Sequence, residues 1–171
     1  MRTVMHNAHV LMEDPQNYDA RAEIMWAGSL SHNGLTGCGT AGDWASHQIE
    51  HELGGMFNVA HGAGLAAVWG SWARYVYQEE PEKFAHFAIH VMGVPADSGT
   101  PEETALAGIR AMEDFFRSIN MPVSLSELGV HPTDDQIREM AQKCVFFGQR
   151  TVGGFKVLHA EDIEKIYRMA L

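Results

Sequence analysis

Cysteine is scarce. Cys38 and Cys144 are the only two in 171 residues and stand far apart, which excludes a disulfide framework or a zinc ribbon and fits a reducing compartment. Basic residues are also few: 12 Lys and Arg face 22 Asp and Glu, and a formal net charge of -10 argues against a nucleic-acid or anionic-membrane partner. No long hydrophobic run occurs. Residues 24–42 carry no formal charge, but Ser29, Ser31, His32, Asn33 and several glycines break them up, so they do not read as a membrane span. The opening MRTVMHNAHVLMEDP lacks the continuous apolar segment of a signal peptide. A soluble, cytoplasmic chain is expected. Sustained period-2 alternation, low-complexity tracts and internal repeats are missing as well. With 46% hydrophobic residues the chain can bury a core as a single all-α domain over 1–171.

What is there reads as helices. A first segment runs over Arg2 to Glu13 and stops at Asp14-Pro15; Asn17 can cap a second, with Ala20, Ile24, Ala27, Leu30 and Ser31 near one stripe. The glycine-rich run from Leu35 to Gly42 predicts a turn, and Asp43 then caps a helix carrying His47 and His51. Gly54-Gly55 reads as a flexible break before His61 and a long apolar helix from Gly62 to about Gln78, in which Trp69, Trp72 and Tyr75 fall at core spacing. Pro81 opens a helix ending near Gly93, and Thr100-Pro101-Glu102-Glu103 is a strong start for one ending near Asn120. Ala105, Ile109, Met112 and Phe116 form its inner face. Thr133-Asp134-Asp135 begins a helix through Phe147. Ala160 to Leu171 is the last, with Ile163, Ile166 and Tyr167 inward. The fold expected is a bundle of seven or eight helices.

The chemistry concentrates in SHQIEHELGGMFNVAHG, Ser46 to Gly62. His47 and His51 are four apart and share one helical face, and His61 heads the next apolar run. Neutral imidazole is a common ligand for iron and zinc, so a metal-centred site is the first hypothesis. Spacing alone leaves a pair of core histidines equally open. His51-Glu52 begins H-E-x-x-H, but position 55 is glycine, and no histidine has a glutamate three residues before it, which excludes a zinc-protease and a di-iron carboxylate site. Gly37-Cys38-Gly39-Thr40-Ala41-Gly42 matches G-x-G-x-x-G, yet follows a helix-like segment and lacks the later acid, so a chain reversal is the better reading. No serine or cysteine sits in a nucleophile elbow. His86 and His90, also four apart, have no third ligand near in sequence and read as structural or surface residues. His6, His9, His32, His131 and His159 are isolated and read as surface or capping residues.

The segment DWASHQIEHELGGMFNVAHGAGLA, from Asp43 to Ala66, resembles the signature of the iron-containing alcohol dehydrogenases, in particular the butanol dehydrogenase and aldehyde reductase branch. The likeness extends to EDPQNYDARAEIMWAGSLSHNGL before it and HAEDIEKIYRMAL at the end, and so covers essentially the whole chain. The resemblance implies the all-helical carboxy-terminal domain of that family. It implies His47 and His61 as two of the three histidines that, with one aspartate, hold iron(II) or zinc. It implies for His51 a place beside nicotinamide and substrate, relaying a proton.

The departures are equally specific. In the family the aspartate and the first metal histidine form Asp-x-x-x-His upstream of the signature segment, and no such motif precedes that segment here; of the eight aspartates only Asp43 has a histidine four residues on, His47, and that pair lies within the signature itself. The nucleotide-binding domain with its Gly-Gly-Gly-Ser loop is absent too, so NAD(P) would bind only with a missing amino-terminal half. The expectation is therefore part of an NAD(P)-linked enzyme interconverting primary alcohols and aldehydes, catalytically silent until joined to that half or to a partner supplying it. Two alternatives stand beside it: a degenerate remnant whose exposed docking face drives self-association, and a repurposed metal-binding or interaction module.

Overall fold

The computed structural model describes residues 1–39 and 42–171. The described residues form eight α-helices: α1 (Arg2–Glu13), α2 (Tyr18–His32), α3 (Ala45–Phe57), α4 (His61–Val76), α5 (Pro81–His90), α6 (Pro101–Ser118), α7 (Asp134–Cys144) and α8 (Ala160–Met169). One isolated antiparallel bridge, Val152 to Leu158, is the only β pairing among them. The all-α expectation holds. No helix among the described residues is long and apolar enough to cross a membrane.

The chain forms two compact units, residues 1–42 and 43–171. In the first, α1 packs on α2, whose start is fixed by Asn17 Oδ1 accepting the Ala20 N–H at 3.0 Å. Leu35–Gly37 is a single 3-10 turn, preceded by a helix and not by a strand, as the chain-reversal reading requires. Thr40 and Ala41 of the G-x-G-x-x-G match lie outside the described residues.

In the second unit, α4 is the central element and packs against α3, α6 and α8, while α7 joins α3 to α8. Ile49 and Leu53 of α3, Ala67, Val68 and Trp72 of α4, Ile109 of α6, Ile137 and Met140 of α7, and Ile163, Ile166 and Tyr167 of α8 form one buried cluster. Burying each large side chain contributes about 1.5–3 kcal/mol. Trp69, Tyr75 and Phe155 pack on its margin. Met112 is buried with Ala105 and Ile109, while Phe116 is half-buried and meets Trp69 edge-on at 6.0 Å.

Side-chain caps set the helix starts. Thr100 and Thr133 each form a reciprocal capping box, with Glu103 and with Gln136. Two boundaries differ from the sequence reading. Gly54 and Gly55 do not break the histidine helix, which continues to Phe57 and ends where Asn58 adopts φ 53°. Helix α7 ends at Cys144, because Phe146 and Phe147 both take positive φ, 48° and 53°.

Candidate metal centre

Helix α3 is held at its start and along its flank. Asp43 Oδ1 accepts the Ala45 N–H at 2.8 Å, and Asp43 Oδ2 accepts the N–H groups of Gly154 and Phe155 at 2.6 and 2.9 Å. The N-cap residue of α3 is Trp44, which caps with no side chain, and not Asp43 as the sequence suggested; the Asp43 carboxylate, one residue earlier, takes up the first helical N–H and ties α3 to the loop before α8. Buried Tyr167 on α8 donates its hydroxyl to the Ile49 carbonyl at 2.5 Å. Burial drives its phenol well above the ordinary range, so it remains a donor. The helix that carries His47 and His51 is therefore rigidly seated, as a ligand-bearing element needs to be.

On α3, residues 47, 50, 51 and 54 recur at helical spacing and form one face. The chain turns at Asn58 and re-enters a helix at His61, the first residue of α4. The turn brings His61 back over that face. Its ring centroid lies 5.5 Å from that of His47 and 5.4 Å from that of His51. Trp44, itself exposed, meets His47 edge-on at 5.2 Å. The three histidines singled out by sequence converge from two helices.

The structure adds a fourth group. Glu50 is only 1% exposed, and its Oε2 is paired with His61 Nδ1. Its other oxygen, Oε1, is buried with no hydrogen-bond partner among the described residues. Glycines make room for this carboxylate. A Cβ on Gly64 would lie 2.5 Å from Oε1, and one on Gly54 would lie 3.2 Å away. Glu50, His51 and His61 each offer a ligand atom, all within 4.8 Å of one another. Sequence reasoning took Glu50 only as a neighbour of the histidines. Its place three residues after His47 and four before Gly54, on the histidine face, is the signal that marks it.

Three imidazoles from two fixed helices, with a buried carboxylate among them, are a donor set suited to a divalent metal of the iron or zinc class. The remaining candidates separate from this centre. His86 and His90 lie against each other with tilted rings, 4.2 Å between centroids, on the exposed side of α5. His6, His9, His32, His131 and His159 are exposed, and the His159 N–H is accepted by Asp162 Oδ2 at the start of α8. A pocket lined by Glu52, Gly55, Met56, Gln136, Glu139 and Lys143 includes none of the three histidines. Burial raises the Cys144 thiol to about 12, which removes it as a nucleophile or thiolate ligand at neutral pH.

The arrangement matches a known family along its entire length: the family model for the C-terminal part of Fe-containing alcohol dehydrogenases covers residues 1–171. The chain belongs to the iron-containing alcohol dehydrogenases. It is 34% identical over 171 residues to the probable NADH-dependent butanol dehydrogenase 1 of Bacillus subtilis, covering 100% of this chain and 43% of that protein. It is 32% identical over 168 residues to the NADPH-dependent aldehyde reductase YqhD of Escherichia coli, covering 98% of this chain and 42% of that protein. Among solved structures, NADH-dependent butanol dehydrogenase A of Thermotoga maritima superposes with a TM-score of 0.89 at 33% identity, over 99% of this chain and 43% of that one. The chain thus spans less than half the length of these iron-type dehydrogenases and corresponds to their C-terminal, helical part.

Proposed function

We propose that this chain supplies the metal-binding and proton-transferring half of an NAD(P)-linked alcohol dehydrogenase, interconverting primary alcohols and aldehydes in partnership with a nucleotide-binding half. The observation that carries the proposal is the convergence of His47, His51 and His61 in a chain that belongs to this family. The butanol dehydrogenase and aldehyde reductase names of its relatives support the substrate class.

His47 and His61 would hold iron(II) or zinc, each presenting one imidazole nitrogen from a fixed helix. The metal, when bound, supplies Lewis-acid polarisation of an alcohol or carbonyl oxygen. His51, exposed beside His61, takes the hydroxyl proton on an imidazole nitrogen in oxidation and returns it in reduction. Binding and orientation of the nicotinamide belong to the partner half, which would also contribute the remaining metal ligands. Trp44, 60% exposed next to His47, gives such a partner an aromatic surface at the edge of the centre.

The purified chain, loaded with iron(II) or zinc and supplied with butanol and NAD or NADP, is therefore expected to show no oxidation above background. Adding the nucleotide-binding half of a related butanol dehydrogenase restores activity, and H51A lowers the restored rate about 100-fold or more. Turnover by the chain alone would refute the division of labour, and full activity of H51A in the mixture would remove His51 from proton transfer.

A further inference from the structure

The buried carboxylate of Glu50 has no place in the reading above. A carboxylate that is 1% exposed is costly to bury unless it is paired, and among the described residues Glu50 is paired with His61 Nδ1. We infer that Glu50 is a positioning residue: it accepts the Nδ1–H of His61, fixes that imidazole in the Nδ1–H tautomer, and so leaves Nε2 with its lone pair free to ligate the metal.

The sequence builds the space for this contact from both helices. Gly54 on α3 and Gly64 on α4 flank Oε1, and a methyl group at 64 would press to 2.5 Å from that oxygen and 2.8 Å from Glu50 Cγ. His61 needs such a partner more than its neighbours do. It is the first residue of α4, its side chain is 52% exposed, and the N-cap before it, Ala60, offers no side-chain hydrogen bond. Without an acceptor at Nδ1 the ring is free to rotate and to place its proton on either nitrogen. A carboxylate behind a ligating histidine also raises its basicity, and loss of such a partner typically weakens metal binding 10- to 100-fold. Glu50 serving directly as a ligand is the competing arrangement, and it would require His61 to bind through Nδ1, the nitrogen that faces the carboxylate.

The inference rests on His61 being a metal ligand, and the two are separable because the tautomer is read without metal. Long-range proton–nitrogen NMR correlation on the metal-free full chain at about pH 8, where an ordinary imidazole is neutral, should show His61 protonated at Nδ1. E50M, with no acceptor, should lose that preference and bind zinc about 10- to 100-fold more weakly, while E50Q, which keeps an acceptor oxygen, should recover part of both. G64A, which displaces the carboxylate without removing it, should resemble E50M. If E50M does not fold, the wild-type tautomer together with G64A decides the matter. A wild-type His61 protonated at Nε2, zinc bound through Nδ1, or E50M binding zinc within about twofold of wild type would each overturn the inference.

Discussion

Tyr75 and Asp162 show how single residues hold this site's framework. The Tyr75 hydroxyl donates to Asp162 Oδ1 at 2.5 Å, joining α4 to the first turn of α8. Burial and then the Asp162 carboxylate push the phenol from 10.0 up to about 12. The folded chain therefore keeps this proton at a pH where the unfolded chain has released it. That contribution to stability is complete below the unfolded value of 10.0 and is lost as the pH climbs to about 12. Urea unfolding at roughly pH 9 and roughly pH 11.5 should show a fall in stability that is smaller in Y75F, which has no phenol to titrate. An equal fall in both would mean that Tyr75 does not contribute. At the same scale, the His47, His51 and His61 constellation was legible because the i, i+4 pair and the helix-initial histidine are read directly from spacing. The role of Glu50 was not, because its burial depends on Gly64, which the turn at Asn58 brings back against α3.

Among the described elements, α5 and α6 share the most extensive contact, and Gly108 lies in it against Ala88. A Cβ there would lie 2.8 Å from the Cα of Ala88, with backbone behind it and no flexible side chain to give way. Alanine gains about 0.5–1 kcal/mol over glycine in helix propensity, but forcing two backbones apart costs about 1–3 kcal/mol. Packing wins, so G108A is expected to lower stability by about 1–2 kcal/mol in a denaturant melt; a stabilised G108A would show that the helices can separate freely. Helix starts were the most readable elements. Asn17, Thr100 and Thr133 cap as their residue types predict, and the Thr100 and Thr133 boxes need only a partner three residues on. The misread boundaries depend on tertiary contacts. Glycine propensity made Gly54-Gly55 a flexible point, but the helix runs through it: Gly54 makes room for the Glu50 carboxylate where α3 packs on α4, and that seating outweighs the roughly 1 kcal/mol each glycine costs. At the end of α7 the aromatic run Phe146-Phe147 gave no sign of its left-handed backbone. Phe146 is held there in part by the Arg150 guanidinium, 3.6 Å from its ring centre.

At the scale of the whole molecule, the helical frame and the family it belongs to define what these residues contribute: histidines held on α3 and α4, in a chain that spans 43% of the length of its Bacillus subtilis relative. The central claim is that His47 and His61 bind the metal while His51 moves the proton. Zinc and iron(II) binding by the wild-type chain, H47A, H61A and H51A, measured by calorimetry and by metal content after gel filtration, tests it most directly. H47A and H61A are each expected to weaken binding by about 100-fold or more, and H51A to stay within about threefold of wild type. Metal retained in H47A and H61A, or lost in H51A, would contradict it and move the centre onto the Glu50 and His51 side of the cluster.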